Sequence, residues 1–239
     1  MGGFEMQSRF MIERTTGVLM LLIVLLAVAQ AVGATGVGSE EGHFRSTFPN
    51  FARDLSYHSR ALIFRFAFGG VLIATAGLLY LTFRPHVRAF AAAGAAALLV
   101  SAALFFAAAV AGVRLQTLAE VWRDGGVPGD VVWLSARTTT NWVENLSSLG
   151  ALMFAVSFVT FGAMFARSAP ALRWIGVLSI AGAGVAAFAI VGVFAGLEEL
   201  PWYAFGLGLL GVVISLVVTG GWLVVRGTRQ APGPASAAD

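Results

Sequence analysis

The stretch AFAAAGAAALLVSAALFFAAAVAGV, residues 89–113, decides the fold of this chain. It contains no charged residue, and it is longer than the roughly 20 apolar residues that a helix needs to cross the hydrocarbon core of a bilayer. Backbone N–H and C=O groups find no partners in lipid, so such a segment must pair them internally as a helix. The stretch therefore predicts a transmembrane helix.

Five further apolar stretches lie on either side of it, and together they predict an all-α polytopic membrane protein with six transmembrane helices. Hydrophobic residues make up 58% of the chain and charged residues 11%, against about 25% charged in soluble domains. We expect one membrane domain over residues 1–239, with a disordered cytoplasmic tail over 226–239. The predicted spans are residues 16–36, 61–83, 89–113, 146–166, 174–195 and 202–225.

Arginines are dense on one side of these spans. This side includes both termini, and positively charged flanks mark the cytoplasmic face. We therefore expect a multi-pass protein of the cell membrane with its N- and C-termini in the cytoplasm. The first span also resembles a signal peptide ending at Ala29-Gln30-Ala31, but its apolar run reaches Gly36, which favours an uncleaved helix. The arginines on the dense side are Arg9, Arg14, Arg84, Arg88, Arg167, Arg173, Arg226 and Arg229.

Two long loops are predicted on the outer side, Val37–Arg60 and Arg114–Asn145. Apolar residues recur at helical spacing within them, as at Phe48, Phe51 and Leu55, which predicts short interfacial helices lying on the outer leaflet. Asp124-Gly-Gly-Val-Pro-Gly-Asp130 predicts a break between two such helices in the second loop.

The spans hold few groups capable of chemistry. The chain has no cysteine, its three histidines lie outside the predicted spans, and no Asp or Glu occupies the middle of one. We therefore predict no catalytic residue, no metal or haem site and no other cofactor. The high pI does not indicate nucleic acid, because the arginines sit at span ends.

Arg65 is the one charged residue clearly inside an apolar segment, about one turn into the second span. We predict that Arg65, with Arg60 or Arg114 nearby, marks a site for an acidic lipid or another anionic ligand beneath the two outer loops. The alternative is that Arg65 extends to the outer headgroups and binds nothing specific.

Glycines indicate where helices approach closely, because small residues let backbones meet in lipid. Gly192 and Gly196 form a GxxxG pair in the fifth span, and we predict that both face a neighbouring helix. Changing Gly192 to Leu should then destabilise the fold. A homodimer face on this helix is an alternative.

Three functions remain open. The leading hypothesis is a non-catalytic bundle that binds a lipid or a membrane-protein partner at its outer face. The first alternative is a transport component for an apolar or amphiphilic compound. The weaker alternative is a lipid-processing enzyme that uses the outer carboxylates. Those carboxylates are Glu144, Glu198 and Glu199, with His43 or His58 as partners.

Several joints resemble those of one family. The second helix opens with Arg60-Ala-Leu-Ile-Phe-Arg65 and ends in Leu-Leu-Tyr-Leu-Thr-Phe-Arg-Pro85. The fourth and fifth are joined through Arg167-Ser-Ala-Pro-Ala-Leu-Arg-Trp-Ile-Gly176. This pattern resembles a bacterial family of six-span integral membrane proteins catalogued as a domain of unknown function. The resemblance implies the six-span architecture and no particular activity.

Overall fold

Nearly all of the described chain is helical. A computed structural model describes residues 2–32, 41–125, 128–168, 172–196 and 200–229. Within these ranges, six helices follow one another in the order α1 Gly2–Val32, α2 Glu41–Arg53, α3 Leu55–Asp124, α4 Gly129–Ser168, α5 Arg173–Phe194 and α6 Leu200–Arg229.

Six segments of these helices are long and apolar enough to cross a membrane. Helix α3 supplies two of them, His58–Pro85 and Val87–Asp124, which meet where Val87 leaves helical geometry with φ −149° and ψ 68°. Pro85 lacks the N–H that a continuous helix would need, which explains a break at this joint. The all-α, six-span membrane fold predicted from the sequence is thereby confirmed.

The second predicted outer loop differs from expectation, because most of Arg114–Asn145 is helix. Helix α3 continues to Asp124 and α4 begins at Gly129, so both spans extend beyond their apolar stretches. Among the described residues of this stretch, the helices are interrupted at the predicted breaker, where Gly125 has φ +72°, a conformation that glycine adopts without steric cost. The part of α3 after Arg114 rises about 15 Å at 1.5 Å per residue.

The last helix also runs further than expected. Helix α6 extends to Arg229, so the first residues of the expected 226–239 tail are helical. Residues 230–239 lie outside the described part of the chain. The disordered tail and the single domain both stay predictions.

The described residues form two compact units. The first comprises the described parts of Met1–Val24, Ile73–Leu99 and Phe154–Asp239, and the second comprises those of Leu25–Leu72 and Val100–Met153.

Backbones meet at glycines in the first unit. A Cβ placed on Gly182 of α5 would lie 2.8 Å from the Gly208 carbonyl oxygen of α6, and one on Gly208 would lie 2.5 Å from the Ala186 nitrogen. Gly162 and Gly176 bring α4 and α5 together in the same way, while Gly17 does so for α1 and α6. These are the close approaches that small residues permit in lipid.

The predicted GxxxG pair, Gly192 and Gly196, is not among these close contacts. Gly192 is buried in α5. Gly196 lies beyond the last residue of α5 at φ +80°, and no described atom other than those of its chain neighbours comes within 4 Å of a Cβ placed on it. This corrects the expectation for Gly196. Its left-handed conformation ends the helix, and the close approach of α5 to α6 is made at Gly182 instead.

One buried carboxylate was not anticipated inside a span. Glu13 lies in the Gln7–Ala29 segment of α1 and is 3% exposed. Its Oε1 lies 3.6 Å from Arg9 Nε, and its Oε2 lies 3.4 Å from Arg226 Nε of α6. The ion pairs compensate the charge of a group that would otherwise be costly to bury.

Candidate functional site: a groove and a small cavity in the second unit

An aromatic cluster closes one end of the second unit. Phe44, Phe48 and Phe51 of α2 are at most 3% exposed. The ring of Phe48 lies 5.9 Å from that of Trp122 and 5.7 Å from that of Trp133, both edge-on. We call these five residues the aromatic cap.

The cap changes the interpretation of α2. A helix lying on the outer leaflet would turn its apolar face to lipid. Instead, the spacing of Phe44, Phe48 and Phe51 places them on one face of α2, which is buried against the ends of α3 and α4. Trp122 and Trp133 are partly buried and pack against this cluster.

A groove runs between α3 and α4 in the same unit. Its volume is about 370 Å³, within the roughly 300–1,000 Å³ typical of ligand pockets. Val110 and Trp142 in its walls are 61% and 62% exposed, so the groove is open to its surroundings. The lining residues are Ala107, Val110, Ala111, Arg114, Thr139, Trp142 and Leu146. We call it the α3–α4 groove.

Helical spacing explains the shape of this groove. Ala107, Ala111 and Arg114 fall on one face of α3, four and three residues apart, and the two alanines leave space that larger side chains would fill. The Thr139 hydroxyl donates to the Ser135 carbonyl at 2.8 Å, so it is engaged by its own helix. The lining is therefore apolar, with a single charge at the Arg114 end.

A second, smaller cavity surrounds Arg65. The space open to water inside it measures about 20 Å³, enough for roughly one water molecule. Phe51 of the aromatic cap is part of its lining, and the Phe51 ring stacks on His58 at 4.2 Å. The lining residues are Phe51, His58, Ala61, Leu62, Arg65, Gly112, Leu115, Gln116 and Val143. We call it the Arg65 cavity.

The three predicted arginines do not line one common site. Arg65 is half-buried and lines the small cavity, while Arg114 is exposed and lines the groove. Arg60 is exposed and lines neither space. The residues of α3 that line the two spaces point in different directions, since each residue turns the helix by about 100°. Both predicted outer segments do contribute to the Arg65 cavity, through Phe51 and Gln116.

Of the outer carboxylates, only Glu144 lies in the described residues, and it lines neither space. Glu144 is half-buried on α4, and Glu198 and Glu199 lie outside the described residues. In the described ranges, no three His, Asp or Glu side chains are grouped so that they could hold a metal ion. The enzyme hypothesis based on these carboxylates stays a prediction without a located site.

Three buried serine hydroxyls donate to backbone oxygens, and those of Ser101 and Ser179 reach another helix. Ser101 donates to the Gly150 carbonyl at 2.8 Å, and Ser179 donates to the Phe158 carbonyl at 3.0 Å. Ser215 donates to Gly211 of its own helix at 2.9 Å. These hydroxyls donate to backbone oxygens, which makes them packing groups.

Sequence reasoning missed the walls of the groove and the role of Gln116. The third span is rich in alanine, and Ala107 and Ala111 lead by helical spacing to Arg114. That spacing is a signal that could have been used. The contribution of Trp142 from α4 could not be predicted from the sequence, since it depends on how two distant segments align.

In comparisons with known proteins, no family model, curated protein or solved structure matches the chain.

Proposed function

We propose that this integral membrane protein binds an acidic lipid in the α3–α4 groove and is not a catalyst. The groove carries the proposal, because it combines an apolar trough with one cation at its end. An acyl chain fits the trough, and a phosphate or carboxylate headgroup complements Arg114.

The position of Arg114 supports this choice. The stretch 89–113 is uncharged, and Arg114 is the first charged residue after it. A span of that length places Arg114 where hydrocarbon gives way to headgroups. From Ala107 to Arg114 the helix rises about 10 Å. The groove therefore holds only the part of an acyl chain nearest the headgroup, and the remainder lies in the bilayer.

The orientation is part of the proposal. Arginine density favours cytoplasmic termini in the cell membrane, which places the groove and the aromatic cap at the outer face. A lipid of the outer leaflet is then the expected occupant. A membrane-protein partner on the same surface would be an alternative occupant, and the experiment below distinguishes the two.

The test is native mass spectrometry of the protein released from nanodiscs of phosphatidylglycerol mixed with phosphatidylcholine. The wild-type protein should retain phosphatidylglycerol. Arg114→Leu should reduce that retention roughly tenfold, the value of one charge-assisted contact. Ala111→Phe should also reduce it, because the ring fills the groove while Arg114 stays in place.

Arg123→Leu is the matched control. Arg123 lies on the same helix, is exposed and does not line the groove, so its variant should retain lipid like the wild type. Equal lipid retention in the wild type, Arg114→Leu and Ala111→Phe would overturn the proposal. A copurifying protein lost in both groove variants would assign the groove to a protein partner.

A further inference from the structure

We infer that the Arg65 cavity is a binding site for a single small inorganic anion of halide size, separate from the α3–α4 groove. The inference rests on the lining of this cavity and does not depend on the proposed lipid site.

The lining of the cavity carries a positive charge and no carboxylate. Arg65 carries a permanent positive charge, and no carboxylate is among the residues that line the cavity. Within the described part of the chain, Arg65 has no hydrogen-bond or ion-pair partner. A guanidinium in an apolar segment without a protein counter-charge favours a mobile anion beside it.

A neutral donor lies in the same lining. Gln116 Nε2 donates to the Ser59 hydroxyl at 3.3 Å, which uses one of its two N–H groups and leaves the other. The remaining walls are mostly apolar, including Leu62, Leu115 and Val143. Attraction between an anion and Arg65 is stronger among such walls than in water.

The size of the cavity selects the class of ligand. Space for about one water molecule admits a monatomic anion and excludes a phosphate ester with its attached chain. Phe51 lines the cavity and is 3% exposed, so enlarging the cavity on that side would displace α2. The Arg65 cavity is therefore not the headgroup site of a lipid that occupies the groove.

The test is thermal unfolding of the purified protein in detergent at constant ionic strength, with chloride replaced stepwise by gluconate. A ligand that binds only the folded state raises Tm with its concentration. Chloride and bromide should each raise the Tm of the wild-type protein in a saturable way, and gluconate should not. Arg65→Gln should raise the half-saturating chloride concentration roughly tenfold or more.

Arg60→Gln is the control, because Arg60 is exposed on the same helix and lines neither space. It should keep the wild-type chloride response. The same Tm in chloride and gluconate, or an unchanged response in Arg65→Gln, would overturn the inference. If Arg65→Gln does not fold, anomalous diffraction from wild-type crystals grown in bromide decides: a bromide peak beside Arg65 supports the site, and a cavity without one refutes it.

Discussion

At the scale of single residues, Glu13 shows how a charge is retained inside an apolar helix. Its carboxylate lies between Arg9 of its own helix and Arg226 of α6, so the two ends of the chain meet at one anion. Removing one member of a buried pair is costly because the remaining charges lose their compensation. The ion pairs should therefore contribute measurably to the α1–α6 contact.

We predict that Glu13→Gln lowers the free energy of unfolding by about 1–3 kcal/mol, since it removes the charge that pairs with both Arg9 and Arg226. The two arginines would then face each other without the carboxylate. The measurement is thermal or chemical unfolding in one detergent. Glu120→Gln is the control, because Glu120 is exposed and the same substitution there should change little.

A double-mutant cycle with Arg226→Gln separates the ion pair from other effects of the change. If Glu13 and Arg226 interact, the double variant should lose less stability than the two single losses added together. Strict additivity would show that the pair contributes nothing to stability.

At the scale of helices, the contact between α5 and α6 rests on glycine. A Cβ placed on Gly182 would meet the Gly208 carbonyl oxygen at 2.8 Å and the Gly211 Cα at 2.9 Å. These are backbone atoms, which cannot move aside as the end of a flexible side chain can. Gly184, two residues along α5, has no described atom within 4 Å of the same position apart from its chain neighbours and the nearby backbone of its own helix.

We therefore predict opposite outcomes for one substitution at two neighbouring sites. Gly182→Ala should destabilise the protein by about 1–3 kcal/mol, because it forces the backbones apart. Gly184→Ala should be neutral or stabilising, since Ala is the better helix former. Unfolding of both variants under identical conditions checks this, and equal stabilities would contradict the close approach.

The helices also show how far the sequence alone could lead. Six spans were predictable because a long run without charge, such as 89–113, has one stable form in lipid. The extensions of α3 and α4 were not, because their charged residues obscure a helix that packs Trp122 and Trp133 against Phe48. Hydropathy measures preference for lipid, whereas these segments are stabilised by contact with each other.

The candidate site, too, has one feature that the sequence predicted and one that it could not predict. Arg65 was identifiable from its cost, since a charge in an apolar helix requires an explanation. The separation of Arg65 from Arg114 was not, because the two lie in different spans of α3 and it depends on which face of its own span each occupies. The positions of these arginines along the chain predicted a similar depth in the membrane. They could not predict the direction in which each side chain points.

At the scale of the whole molecule, the proposed orientation can be tested with unusual simplicity because the chain contains no cysteine. A single introduced cysteine is then the only thiol that a membrane-impermeant maleimide can label. Arg88 lies at the arginine-rich joint within α3, and Asp124 lies at the exposed turn between α3 and α4.

We predict that Asp124→Cys is labelled in intact cells, whereas Arg88→Cys and Asp239→Cys are labelled only after permeabilisation. The physical reason is the cost of moving arginine-dense segments across the membrane, which keeps them in the cytoplasm. Labelling of all three after detergent treatment is the control for thiol accessibility. Labelling of Arg88→Cys in intact cells with protection of Asp124→Cys would invert the protein. It would place the groove and the aromatic cap at the cytoplasmic face, where the acidic lipid proposed for Arg114 would have to come from the inner leaflet.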